Sequence, residues 1–183
     1  IDHLIGLAIA HGADTSSIAL YDQALALYPQ GGLPPQGLRI YNNLAYDAWG
    51  RGDGPAAAHY RELTVDFARR HNLELTPAVQ DTLARVHLLN HEYQQAIDLM
   101  TTTVAGIRAA LSRGDEAVFD EPTSLWEGLL TLAEAHRAAG HLTEAQQALD
   151  SARQITSWQD VPSVSATIHR EQSALDAANG DFE

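Results

Sequence analysis

Cysteine and lysine are both absent from the 183 residues, and methionine occurs once. Without cysteine there is no disulfide frame, no thiolate metal site and no cysteine nucleophile, a usage that fits a reducing compartment. Without lysine there is no P-loop lysine, no Schiff base and no catalytic ammonium. Positive charge is scarce as well: all 11 basic residues are arginine, against 24 acidic ones, so the formal net charge is −13 with histidine neutral. Each phosphate contact needs a cation, so this balance argues against nucleic acid or an anionic membrane as partner. Long apolar runs are also missing. None approaches the roughly 18 residues of a membrane span, and no charged segment followed by a short apolar run lies near Ile1. The expectation is a cytoplasmic protein. A start at Ile1 rather than Met suggests a piece of a longer chain.

What is present is a globular composition, with 45% hydrophobic residues and only 7 Pro and 13 Gly, which excludes a disordered or collagen-like chain. The length suits one domain able to bury a core without staples. Apolar residues recur at helical spacing, and no convincing two-residue alternation marks a strand, so the fold class is all-α. Breakers divide the pattern: His11 to Asp14, Pro29 to Gly37, Gly50 to Pro55, His71 to Pro77, Asn90 to Glu92, Gly114 to Pro122, Gly140-His141, Trp158 to Pro162 and Asn179 to Asp181. Thr76-Pro77 offers an N-cap oxygen followed by proline at the first helical position. Gly140 and Gly180 follow helical runs, where a residue free to take positive φ ends a helix best.

Internal periodicity is the strongest signal. From Trp126 to Ile155, Leu129, Leu132, Ala133 and His136 form one face of a first helix, Gly140 turns the chain, and Leu142, Ala145, Leu149 and Ala152 line a second helix. Antiparallel helices joined by a short turn approach closely only where small residues, here Ala133 and Ala145, meet at the crossing. This unit resembles the tetratricopeptide repeat. Less regular copies run from Leu38 to Phe67, with a Gly52-Asp53 turn that reads one residue short, and from Ala78 to Val104, with His91 where glycine is usual. An amino-terminal copy turns at Gly12, and Ile168 to Asp181 supplies a last first helix. Turns near 12, 52, 91, 140 and 180 lie roughly 40 to 50 residues apart, longer than the family's repeat, so some helices are expected to be extended. The resemblance implies a superhelix of about four and a half helix pairs, about nine helices in all, covering residues 1–183 as one solenoid domain.

The chemistry-bearing candidates are few. His87 and His91, four apart, have a spacing that can chelate zinc, but a site needs three or four converging ligands and His91 falls in a turn. His136 stands at the same repeat position as His87, which suggests a recurring packing site. Gly50-Arg51-Gly52-Asp53-Gly54 follows a helix rather than a strand, so it reads as a turn rather than a phosphate cradle. The Arg51-Gly52-Asp53 tripeptide has no extracellular context. The acidic run Asp115 to Glu121 lacks the alternating oxygen ligands of a calcium loop. No nucleophile elbow or placed carboxylate pair is present, so neither catalytic residues, metal nor cofactor is expected, and the rival to this is a metal-binding or enzymatic helical domain using the histidines.

The repeat resemblance implies a concave wall formed by first helices, carrying Asn42, Tyr46 and Trp49, then Asp81, Arg85 and Leu88, then Leu130, Glu134 and Arg137, and finally Arg170. Aromatic rings beside guanidinium groups are typical of binding hot spots. The alternative is that Tyr46 and Trp49 simply pack between helix pairs. The wall lacks the lysine and asparagine pattern that clamps a terminal carboxylate in some family members. Its expected occupant is a protein or peptide, or an attached output domain, and association of two copies through the last helix is a further expectation.

The run L-W-E-G-L-L-T-L-A-E-A-H-R-A-A-G and the later I-H-R-E-Q-S-A-L-D-A-A-N-G-D-F-E also resemble the repeat region preceding GGDEF domains in bacterial diguanylate cyclases. That resemblance implies a sensory or coupling region whose catalytic domain lies outside these residues. Similar arrays precede LuxR-type DNA-binding domains, which keeps a transcription regulator's sensor region as the alternative. An alanine-rich chain without lysine also suggests a GC-rich source genome.

Overall fold

The computed structural model of the chain describes residues 1–11, 15–30, 33–114, 123–155 and 162–180. Among these the secondary structure is helical, with no strand. The Gly12 turn, the acidic run from Asp115 to Glu121 and the last three residues, Asp181 to Glu183, lie outside the described residues. The chain divides into two compact units, Ile1–Asn90 and His91–Glu183.

The first unit holds α1 (Asp2–His11), α2 (Thr15–Leu27), a 3-10 turn (Tyr28–Gln30), α3 (Pro34–Gly50), α4 (Gly54–His71) and α5 (Pro77–Leu89). Pro34 and Pro35 open α3, where no backbone donor is needed, and the Leu33 N–H donates to Gln36 Oε1 at 3.0 Å. Gly52, at φ 71°, ends α3. The Asp53 N–H reaches the Ala48 carbonyl at 3.0 Å and the Gly52 N–H reaches that of Trp49 at 2.8 Å, which satisfies carbonyls the helix leaves open. Asp53 then caps α4, its Oδ1 accepting from the Ala56 N–H at 3.1 Å. Thr76 accepts from the Val79 N–H at 3.4 Å with Pro77 behind it, as the sequence predicts.

Packing follows residue size. α1 packs on α2 and α3 on α4, while α3 also meets α1, α2 and α5. Ile5, Ala8, Tyr21, Ala24, Ile40 and Leu44 form one buried cluster. Ala45, Ala48, Ala57 and Val86 form another, and its small side chains allow α3, α4 and α5 to come close. At the start of α3, Gly37 lies against the Phe67 ring, which Tyr28 and Tyr41 also touch at centroid distances of 5.8 and 5.4 Å. Each large side chain so buried contributes about 1.5–3 kcal/mol. Asn90 ties the end of α5 to the start of α4 through its Nδ2, which donates to the carbonyls of Val86 at 2.9 Å and Gly54 at 3.3 Å.

The second unit holds α6 (Tyr93–Ser112), α7 (Thr123–Ala138), α8 (Leu142–Arg153) and α9 (Pro162–Asn179). α7 packs on α6, α8 and α9, and α8 also packs on α9. Val104, Leu129, Leu130, Ala133, Ala148, Leu149, Ala152 and Ile168 make its core. Gly140, at φ 81°, ends α7, and the His141 N–H reaches the His136 carbonyl at 2.8 Å, the same bond that Asp53 makes to Ala48.

Three connections therefore share one length and one conformation. Arg51-Gly52-Asp53, Asn90-His91-Glu92 and Ala139-Gly140-His141 each contain three residues, with the central one at φ 71°, 61° and 81°. The expected one-residue shortening at Gly52 is not found, because Gly54 and Pro55 open α4 instead of extending the turn. α6, with 20 residues, and α4 and α9, with 18 each, are the long helices that the wide turn spacing anticipates.

Candidate functional site

In the first unit, α3 presents Asn42, Tyr46 and Trp49 at successive turns, and α5 presents Asp81, Arg85 and Leu88 in the same way. Because these helices pack on each other, four of the six side chains become one row. The Tyr46 and Trp49 rings stand 5.2 Å apart, tilted by 45°. The Arg85 guanidinium carbon lies 5.1 Å from the Trp49 centroid. Arg85 Nε donates to Asp81 Oδ2 at 2.6 Å, with the two side chains only 22% and 17% exposed. Tyr46 is 48% exposed and Trp49 is half-buried against the alanine cluster. Trp49 is thus a packing residue on one face, while Tyr46 is exposed.

Arg85 is already engaged twice, by the aromatic face and by the carboxylate. A guanidinium held over a ring is worth about 0.5–2 kcal/mol, and the carboxylate neutralises its charge. The open part of the row is therefore aromatic and close to neutral. Asn42 and Leu88 lie one turn away, both half-buried, and Asn42 Oδ1 is buried without a hydrogen-bond partner.

In the second unit the anticipated wall residues have different surroundings. Leu130, expected on the wall, is 6% exposed and belongs to the core with Val104 and Ile168, so that expectation is corrected. It follows Leu129 directly, and α7 is covered on more than one side, so both residues are buried. Arg137 Nε donates to Glu171 Oε1 at 2.6 Å, joining α7 to α9. That hydrogen bond, with the carboxylates of Glu171 and Glu134 nearby, holds the Arg137 guanidinium above its ordinary range. Glu134 is half-buried and Arg170 is exposed on α9.

His87 and His91 have local partners. His87 Nδ1 is 2.9 Å from an Arg61 guanidinium nitrogen. Since arginine only donates, His87 accepts there and carries its proton on Nε2. His91 Nδ1 lies 2.7 Å from the Tyr93 hydroxyl. Among the described residues no group of three or more His, Asp or Glu side chains could hold a metal ion. The Gly50 to Gly54 stretch is the connection between α3 and α4, and its Asp53 is a helix cap.

Two features escaped the sequence reading. One open cleft of about 440 Å³ is lined by Arg61, Glu62, Val65, Asp66, Leu83 and His87. Another, of about 350 Å³, lies among α6, α7 and α8, with His136 in its lining. The signal for both was the histidine repeated at equivalent positions, which sequence alone associates with packing. No protein-family model, curated protein or solved structure matches the chain, so its functional reading rests on its own residues.

Proposed function

We propose that this chain is a tetratricopeptide-like, non-catalytic interaction domain that binds a protein or peptide through its first helices. In that reading it is the cytoplasmic sensory or coupling region of a bacterial signalling protein whose output is a diguanylate cyclase. The observation that carries the reading is the Tyr46–Trp49–Arg85–Asp81 row, an exposed ring backed by a rigid, internally neutralised cluster. Rigid aromatic anchors bind at low entropic cost, because the partner does not have to order them. The repeat reading is supported by the recurring three-residue turn and by the packing of α3 on α1 and α5 and of α7 on α9.

The test is selection of a peptide-display library on the intact chain, followed by titration of the selected peptide against Tyr46→Ala. A loss of about tenfold or more, with helicity unchanged, is expected for a hot-spot ring. Unchanged affinity would move the binding surface elsewhere. The coding sequence beyond Glu183 distinguishes a GGDEF output from a helix-turn-helix output. The second reading, the effector-sensing region of a LuxR-type regulator, is favoured by the cleft in the second unit.

A further inference from the structure

Helices α5 and α7 permit an internal comparison, because each carries a histidine four residues before a left-handed turn residue: His87 before His91 and His136 before Gly140. In the first unit the imidazole meets a cation supplied by the protein, since Arg61 holds His87 Nδ1 at 2.9 Å. Arg61 stands nine residues after Gly52, and the residue nine after His91 is Met100. Methionine cannot donate to an imidazole. The same atom in the second unit, His136 Nδ1, is accordingly buried with no hydrogen-bond partner. A buried polar atom left without a partner is costly and calls for an explanation.

The cleft beside His136 has the composition of a small-molecule site. Val104, Leu129 and Ala148 are apolar and buried, and give it an apolar floor. Among its polar lining residues, the two of opposite formal charge come from different helices, Arg108 from α6 and Glu144 from α8. Both are exposed, and neither forms an ion pair among the described residues. Arg39, Arg85 and Arg137, by contrast, are each committed to a carboxylate. A volume of about 350 Å³ lies at the small end of ligand sites, which admits a compact molecule and not a folded partner.

We infer that the cleft among α6, α7 and α8 binds a small zwitterion with an apolar body, a free apolar amino acid or a dipeptide. Its carboxylate pairs with Arg108, its ammonium lies beside Glu144 and His136, and its apolar part covers Val104 and Leu129. The site belongs to the second unit alone and stands or falls separately from the Tyr46 surface.

Calorimetric titration of the intact chain with L-leucine and with leucyl-leucine tests this, alongside isocaproate, which retains only the carboxylate, and isoamylamine, which retains only the ammonium. At least one zwitterion is expected to bind, and which one does identifies the source. Each singly charged analogue should bind about tenfold or more weakly. Arg108→Gln and Glu144→Gln, both at exposed positions and checked for helicity by circular dichroism, should each weaken the zwitterion by a similar factor. The inference is overturned if neither zwitterion binds, if isocaproate binds as well as leucine, or if Arg108→Gln leaves the affinity within about twofold.

Discussion

The guanidinium carbon of Arg85, on α5, lies 5.1 Å from the centroid of the Trp49 ring, on α3, and this contact joins the two helices that carry the candidate binding row. The pair is half-buried, and Arg85 is also held by Asp81. Its coupling should therefore exceed that of a fully exposed cation–π contact. A double-mutant cycle with Trp49→Leu and Arg85→Met, read by urea unfolding, is expected to give a coupling of about 0.5–2 kcal/mol. A value of zero would mean that the contact contributes only packing.

Gly37 is required by shape. A Cβ there would stand 3.0 Å from both Phe67 Cε atoms and closer still to Cζ, and the ring is held by Tyr28 and Tyr41. Gly37→Ala should destabilise the chain by about 1–3 kcal/mol through overpacking, despite the better helix propensity of alanine. Adding Phe67→Leu should recover part of the loss. Thermal unfolding of the two variants measures both effects.

His91 occupies a left-handed turn that glycine occupies at Gly52 and Gly140. A side chain with φ near 61° costs about 1–2 kcal/mol, whereas glycine adds back some unfolded-state entropy. His91→Gly is expected to raise stability by roughly 0.5–1 kcal/mol, offset in part by loss of the exposed contact to Tyr93. Gly140→Ala should lower it by about 1 kcal/mol. Denaturant midpoints for both variants check the opposite signs.

Two titrations should limit stability at opposite ends of the pH range. Burial, reinforced by Asp47, pushes the Tyr21 hydroxyl from 10.0 up to about 12. The folded chain therefore keeps a proton that the unfolded chain releases. The stabilisation is complete below pH 10 and is lost as pH rises toward 12, by about 3 kcal/mol in all. Absorbance at 295 nm should show Tyr21 ionising late or together with unfolding. Burial and the neighbouring His141 lower the His136 pKa, against a smaller opposing effect from Glu144. Here the unfolded chain binds the extra proton, so stability is full above 6.5 and declines as pH falls below it. An NMR titration that places His136 above the ordinary histidine range would refute this.

Much of the helical layout was legible because it is written in local chemistry. Thr76-Pro77 starts α5, and Gly140 and Gly180 take positive φ, as their positions after helical runs predict. These outcomes depend on backbone sterics within a few residues. Leu130 was misplaced for the complementary reason. Helical periodicity assigns one buried face, whereas α7 has neighbours on several sides.

The candidate site divides along the same line. Spacing alone placed Tyr46 and Trp49, and Asp81 and Arg85, on shared helix faces, since residues three or four apart lie on one side of a helix. It could not decide which arginines remain open to a partner. Arg61 is taken by His87, Arg85 by Trp49 and Asp81, and Arg137 by Glu171, each through a contact between different helices apart from the Asp81 pair. The sequence by itself determined the helical fold class, the described turns at Gly52, His91 and Gly140, and the chemistries that the absence of cysteine and lysine excludes. Only the tertiary structure decided which charges are neutralised internally and which, like Arg108 and Glu144, stand at a cleft. Local sequence sets backbone conformation, but pairing depends on distances between helices that are far apart in the chain.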